Sequence, residues 1–254
     1  MNQQDRIAKL LTLLEDRGKI SQEELMAIFG ISRDTARRDI LKLVNSGLAE
    51  RYPGGISRPV LKAQIETYSN RLIKHSKEKQ RIAQGAAALL QSKMTIYLDV
   101  STTVNFLAAS LLGNQLLVVT NSMDNAIVVP QKESNQVYLL GGLFDGNSRL
   151  LAGEAVLQQL HQFNFDWAFI GGAGITEQGV FYSELADTQL KQAVCQNSQN
   201  VCLLIDSSKV NQQSPYKISF SGIDLIMTDK PLPLGLMEVI KAEKIELVIV
   251  KEGN

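Results

Sequence analysis

Through residue 56 the apolar positions recur every three or four residues, the spacing of helices that bury one stripe. In DRIAKLLTLLEDRGK that stripe is Ile7, Leu10, Leu11 and Leu14, and Gly18 supplies a helix stop. SQEELMAIFG begins a second, shorter helix. Ser21 and Glu24 stand at capping-box spacing, in which the hydroxyl accepts from the third helical N–H and the carboxylate reaches back. Leu25, Ile28 and Phe29 form its buried side and Gly30 ends it. ISRDTARRDILKLVNSG predicts a third helix, from an N-cap at Ser32 to a stop at Gly47. LAERYPGGI then alternates apolar and polar residues before a Pro-Gly-Gly turn, as a small β-ribbon does.

Residues 57–80, with Pro59 and little periodicity, read as a connector. From residue 81 the pattern changes. Seven short apolar runs (TIYLD, LLVVT, QVYLLGG, DWAFIGG, VCLLID, DLIMTD and LVIV) alternate with helical stretches such as RIAQGAAALLQ, TTVNFLAASLL, GEAVLQQLHQF, ELADTQLKQAVCQNS and LPLGLMEVIKAEK. Strands that are apolar throughout and separated by helices predict a mainly parallel sheet covered on both faces. The expected fold class is therefore α/β: a small helical domain with a β-ribbon over 1–56 and an α/β domain over 81–254.

Composition narrows the class. A chain of 254 residues, 44% hydrophobic and 20% charged, is long enough for two domains and fits a globular protein. No apolar run reaches membrane-span length, and MNQQDRIAKL lacks the layout of a signal peptide, so a cytoplasmic protein without membrane contact is expected. Cys195 and Cys202 are too few for a disulfide framework and read as free thiols. His75 and His161 have no Cys or His at ligand spacing, so neither a metal site nor a cofactor is expected. Net charge is zero, but unevenly spread. Residues 1–81 carry 16 Lys and Arg against 10 Asp and Glu, and the remainder carries 10 against 16. The front end is the part suited to a polyanion.

On a helix at 100° per residue, Ala36, Ile40, Leu43 and Val44 share one stripe. Asp34, Thr35, Arg38, Lys42 and Asn45 fall opposite, with Arg33 in the exposed first turn and Arg37 on the flank. Asp39 lies near the core edge and reads as an internal partner for Arg37 or another basic residue nearby. Two helices joined by the tight FGIS turn, the second with a basic outer face, have the layout of helix-turn-helix, whose second helix enters the major groove of double-stranded DNA. Arginine can bond two acceptors on guanine, and both Arg and Lys neutralise phosphates. The candidate DNA contacts are Ser32, Arg33, Asp34, Thr35, Arg37, Arg38 and Lys42, with Arg51, Gly54 and Gly55 on the ribbon.

In the rear domain, polar and glycine-rich stretches follow the predicted strands. Asp99, Ser101, Thr102 and Thr103 follow the first, and Thr120, Asn121 and Ser122 the second; Gly141, Gly142 and Gly171 follow two more. Ligands of open parallel sheets collect beyond the carboxyl ends of strands, and helix N-termini favour anions, phosphate especially. Glu184, Asp187 and Lys191 share a helical face. The Asp187–Lys191 spacing reads equally as a surface pair. Lys209 follows a strand end with Asp206 and Ser208, a suitable place for a lysine to meet an anion.

Arg6-Ile7, Gly18, Glu24-Leu25, Phe29, Ile31-Ser32, Thr35, Arg37-Arg38-Asp39, Leu43, Gly47, Arg51 and Gly54-Gly55 resemble the winged helix-turn-helix of the DeoR family of bacterial regulators. Ala36 stands where that family has a larger aliphatic residue, and Pro53 where it has histidine. EKQRIAQGAAALL, IYLDVSTT, VVTNS, LLGG, DWAFIGGAGI, LLIDSSK and IMTD resemble its sensor domain, with Ser101 in place of a glycine. The resemblance implies a sensor fold similar to ribose-5-phosphate isomerases and CoA transferases. It also implies a phosphorylated sugar or related metabolite as effector, lined by Asp99, Thr102, Thr103, Thr120, Asn121, Gly141, Gly142, Lys191 and Lys209. The expected function is a repressor of a carbohydrate operon, not an enzyme, acting as a homo-oligomer (dimer or tetramer) on spaced half-sites. The rival readings are a sugar-phosphate isomerase or deaminase with a DNA-binding head, using Asp99, Glu184, Asp187 and Lys209 for acid–base work, and a protein adaptor that does not read DNA.

Overall fold

The computed structural model describes residues 3–45, 49–52, 54–57, 74–111, 115–129, 134–146 and 148–250. The chain divides into two compact units, Met1–Ile65 and Glu66–Asn254. The predicted connector is entered from both ends by secondary structure, since one strand runs to Ser57 and a helix begins at Ser76; Pro59 and residues 58–73 lie outside the described residues.

The first unit contains helices α1 (Gln3–Arg17), α2 (Gln22–Phe29) and α3 (Arg33–Asn45) and strands β1 (Lys19–Ser21), β2 (Glu50–Tyr52) and β3 (Gly55–Ser57). The Ser21–Glu24 capping box forms in both directions, and Gly30 closes α2 in the left-handed region with φ 60°. Ser32 Oγ accepts from Thr35 N at 3.3 Å, which starts α3. Gly47 and Pro53 lie outside the described residues. Leu10, Leu14, Leu25, Ala36, Ile40 and Leu43 meet in one core. The hairpin β2–β3 forms the wing. The strand β1, which adds to the wing by pairing with β3, has no counterpart in the sequence reading. A Cβ on Gly55 would overlap the Ile20 carbonyl oxygen, so this glycine permits β1 and β3 to approach.

Asp39 is 1% exposed, and its partner is Arg6 of α1. Of the two alternatives expected, Arg37 or another basic residue, the structure has the second, and Arg37 is exposed. Arg6 Nε donates to Asp39 Oδ2 at 2.7 Å, Arg6 Nη2 donates to Oδ1 at 3.2 Å, and Gln3 Nε2 donates to Oδ1 at 2.9 Å. Burial pushes the Asp39 carboxyl up, but these hydrogen bonds and the Arg6 and Arg38 charges outweigh it and hold it below the ordinary value.

The second unit is built on a seven-stranded sheet, ordered β15-β14-β12-β9-β4-β5-β6 and parallel throughout. Its strands are β4 (Thr95–Leu98), β5 (Leu117–Thr120), β6 (Gln136–Leu139), β9 (Trp167–Ile170), β12 (Val201–Leu204), β14 (Leu225–Thr228) and β15 (Glu246–Ile249). All seven fall on the predicted runs. Alternate residues serve opposite faces. Ile96 and Leu98 pack with α4 (Ser76–Ala87) and α5 (Thr102–Ser110), through Ile82, Ala86, Val104 and Leu107. Tyr97 packs in the other core, with α7 (Glu154–Leu160), α8 (Leu185–Gln196) and α9 (Leu234–Ala242), through Leu160, Val194 and Ile240. The short helix α6 (Met123–Val128), the hairpin β7 (Leu143–Asp145)–β8 (Leu150–Ala152), and an antiparallel sheet of β10 (Gly174–Thr176), β11 (Gly179–Tyr182) and β13 (Tyr216–Ile218) complete the unit. Of these, β7, β8, β10, β11 and β13 did not appear in the sequence reading.

The chain moves outward from β4 through β5 and β6, then returns to the other side of β4 and continues from β9 to β15. The strand order thus reverses between β4 and β9, which opens a crevice at their carboxyl ends.

Asp39→Asn keeps the shape of the side chain and removes its charge. It should lower the unfolding temperature of the first unit by about 5 °C or more. A carboxyl held below its unfolded value of ~3.9 contributes fully above that pH and loses its contribution as pH falls through the folded value. The wild-type unit should therefore lose stability in acid and the variant less so, as read by calorimetry of the full chain between pH 3 and 7.

Candidate functional site

The crevice between β4 and β9 is organised around Asp99. This residue follows β4, is 1% exposed, and accepts from three donors: Lys191 Nζ at 2.6 Å, Val100 N at 2.7 Å and Gly171 N at 2.9 Å. Lys191, on α8, is 3% exposed. Its burial would lower its pKa, but the charges of Asp99 and Asp187 and the hydrogen bond to Asp99 outweigh burial and raise it. The reading of Lys191 as half of a surface pair with Asp187 is therefore corrected: the lysine points inward, and Asp187 adds to the negative field around it.

Gly171 joins the same centre through a close approach. A Cβ there would lie 2.5 Å from Ser101 Oγ, so the glycine makes room for the serine. Ser101 stands at the N-cap of α5, but its hydroxyl makes no cap hydrogen bond. Thr102 and Thr103 form the first turn and are buried. Among the described residues no backbone acceptor meets the N–H groups of Thr102, Thr103 or Val104. That turn is a set of free donors carrying the positive end of the helix dipole.

The polar residues after β5 have other occupations. Thr120 Oγ1 donates to the Leu98 carbonyl at 2.6 Å and accepts from Ser122 N at 3.0 Å. Asn121 accepts from Tyr97 Oη at 2.9 Å and donates to the Leu151 carbonyl at 3.0 Å. Ser122 Oγ caps α6 through Asn125 N. Asn125, which the sequence reading missed, donates to the Asp99 carbonyl at 2.9 Å and accepts from Asn105 Nδ2 at 3.0 Å. These side chains tie the ends of β4 and β5 into one buried network. Gly141 exchanges two hydrogen bonds with the amide of Gln159, and Gly142 is exposed beside the β7–β8 hairpin.

Two candidates stand apart. Glu184 is exposed at the start of α8, and no described contact joins it to Asp99. Lys209 ends a one-turn helix, Ser207–Lys209, beyond β12, where Asp206 accepts from Ser208 N and Ser208 Oγ. Among the described residues no group of three or more His, Cys, Asp or Glu side chains could hold a metal ion. Both cysteines are free, and burial pushes Cys195 up to about 11.

In the first unit, the outer face of α3 carries Arg33, Asp34, Arg37, Arg38 and Lys42, all exposed, with Thr35 half-buried. Arg38 Nε donates to the Asp34 carbonyl at 3.4 Å, and Lys42 Nζ to Gln3 Oε1 at 3.5 Å. Arg51 and Gly54 are exposed on the wing. Gly55 is buried, so its role there is packing and not surface contact.

A model of the DeoR-like helix-turn-helix domain matches residues 6–59, and one of the DeoR C terminal sensor domain matches residues 74–230. The chain belongs to the DeoR family of transcriptional regulators. It is 33% identical to the HTH-type transcriptional repressor GlcR of Bacillus subtilis, covering 100% of this chain and 99% of that protein. It is 31% identical to the glycerol-3-phosphate regulon repressor of Escherichia coli, covering 97% and 99%. Ribose 5-phosphate isomerase A of Methanocaldococcus jannaschii overlaps 53% of this chain and 54% of its own, with 21% identity and a TM-score of 0.38. No described helix of this DeoR-family chain is long and apolar enough to cross a membrane.

Lys191→Met leaves the Asp99 carboxylate buried beside two backbone donors only. Breaking such a pair from one side destabilises by about 3–5 kcal/mol, and denaturant unfolding of the second unit should show it. Because the lysine is raised in the folded state, its contribution is complete below its unfolded value of ~10.4 and is lost as pH rises through the folded value. Wild-type stability should therefore fall in strong alkali more steeply than that of the variant.

Proposed function

We propose that the chain represses a carbohydrate-metabolism operon and that a phosphorylated sugar, bound at the carboxyl ends of β4 and β9, controls it. The observation that carries this reading is the division of α3. Ala36, Asp39, Ile40 and Leu43 are taken up by the core, while Arg33, Arg37, Arg38 and Lys42 all face solvent. A recognition helix needs that arrangement, with base-reading and phosphate-neutralising groups exposed on one face. Ser32, Asp34 and Thr35 then lie at the end that enters the major groove, and Arg51 and Gly54 lie on the wing as backbone contacts.

In the sensor domain the free N–H groups of the first turn of α5, with Ser101, Thr102 and Thr103, suit a phosphate. Lys209 and Glu184 would reach the ligand from the neighbouring loops. Two relatives are named repressors, one of them of a glycerol-3-phosphate regulon, which supports the effector class. Binding without turnover is favoured by Asp99: the carboxylate an isomerase would need as a base is held by Lys191 and two backbone N–H groups. The reading further has the protein acting in the cytoplasm as a dimer or tetramer, with two heads on spaced half-sites. Effector and DNA affinities would change by the same factor in either direction.

Gel retardation at moderate salt tests the reading. A fragment from the protein's own promoter region should be retained far better than random DNA of equal length, and equal retention would sink the proposal. Arg38→Ala should weaken operator binding by about tenfold and reduce the salt slope by about 0.9 if it meets one phosphate. Addition of the sugar phosphate that most raises the unfolding temperature should change operator affinity, whereas inorganic phosphate should not.

A further inference from the structure

A buried hydroxyl without a partner lies beside the Asp99–Lys191 pair. Tyr182, the last residue of β11, is 4% exposed, yet its Oη has no hydrogen-bond partner among the described residues. Tyr97, equally enclosed, contrasts with it by donating to Asn121. Lys191 Nζ stands 5.6 Å from the centroid of the Tyr182 ring. Glu184, Leu185 and Ala186, which follow it, are exposed.

Folded proteins pair nearly all their buried polar groups, and an orphan asks for an explanation. The packing alone provides none. Phe181, the preceding residue, is buried without a hydroxyl, and a phenylalanine at 182 would fill the same core volume and omit the unpaired atom. The retained hydroxyl marks a place where a partner arrives from outside.

We propose that Tyr182 is a specificity residue of the effector site, its hydroxyl donating to an oxygen on the non-phosphate part of a bound sugar phosphate. This rests on the effector reading above and extends it to the orientation of the ligand. The Lys191 cation is already neutralised by Asp99 at 2.6 Å and offers a phosphate little net attraction, whereas the free N–H groups at the start of α5 attract it. The neutral, hydroxyl-bearing end of the ligand therefore faces Asp99, Lys191 and Tyr182. Burial, reinforced by the Asp99 charge, pushes the phenol well above its usual range, so it remains a donor at physiological pH.

The test compares the full-length wild type with Tyr182→Phe. Each is titrated calorimetrically with inorganic phosphate, glycerol 3-phosphate, ribose 5-phosphate and glucose 6-phosphate, and each ligand-free protein is also melted. Tyr182→Phe should unfold at the same or a higher temperature than the wild type. It should bind the preferred sugar phosphate about tenfold or more weakly, with inorganic phosphate bound alike by both. A lower unfolding temperature in the ligand-free variant would mean that the hydroxyl already has an internal partner, which overturns the assignment. Undiminished preference for the sugar phosphate would also overturn it, while leaving the effector reading intact. If the wild type prefers none of the sugar phosphates to inorganic phosphate, the effector reading fails and the assignment falls with it.

Discussion

The sensor domain depends on the burial of one carboxylate. Asp99 emerges from β4, the strand at which the sheet reverses its order, and is almost wholly removed from water. An ionised carboxylate is tolerated there only if its oxygens are occupied. Each of its three donors comes from a different place: Val100 from the turn itself, Gly171 from the end of β9, and Lys191 from α8. Satisfying that one charge therefore brings two strand ends and a distant helix together. Ser101 follows in the space left by Gly171, and the start of α5 is fixed relative to both.

The first unit solves a similar problem at smaller scale. Asp39 on α3 is buried against Arg6 and Gln3 of α1, thirty-three and thirty-six positions away in sequence. Arg6 takes the internal acid, and no outward arginine of α3 is needed for it. The charge that orients the helix is thus separate from the charges on its outer face. Had Arg37 been the partner of Asp39, one cation would have been withdrawn from the outer surface and α1 would have lost its polar tie to α3.

The inner strands of the parallel sheet were legible in the sequence because burial on both faces makes each one an unbroken apolar run, and the edge strands β6 and β15 kept enough apolar residues to be read with them. Helix caps at Ser21 and Ser32 were legible because capping depends on residues three positions apart. The elements that were not legible share a physical cause. β1, β7, β8, β10 and β13 have only three residues each, too few to display a period, and β1 and β13 form by pairing with remote segments. Lys191 was ambiguous because an acid four residues earlier is the usual sign of an exposed pair; only the packing of α8 against the sheet turns the side chain inward. Asn125 and Gln159 lie inside helical stretches and carry no local sign that their amides bind loop carbonyls.

The same contrast bears on which strand-end residues are able to recognise a ligand. Polar side chains gather at this edge of the sheet for two different reasons, and sequence position alone does not separate them. Thr120, Asn121 and Ser122 bond to Leu98, Leu151 and Asn125, and a ligand would have to break those bonds to engage them through the same atoms. Breaking a buried hydrogen bond to form another gains little. Among the groups with capacity to spare are the N–H donors at the start of α5 and the Tyr182 hydroxyl. One is suited to an anion and the other to a neutral oxygen. A ligand carrying both, a phosphate at one end and hydroxyls at the other, satisfies them without dismantling the network that holds the strand ends in place.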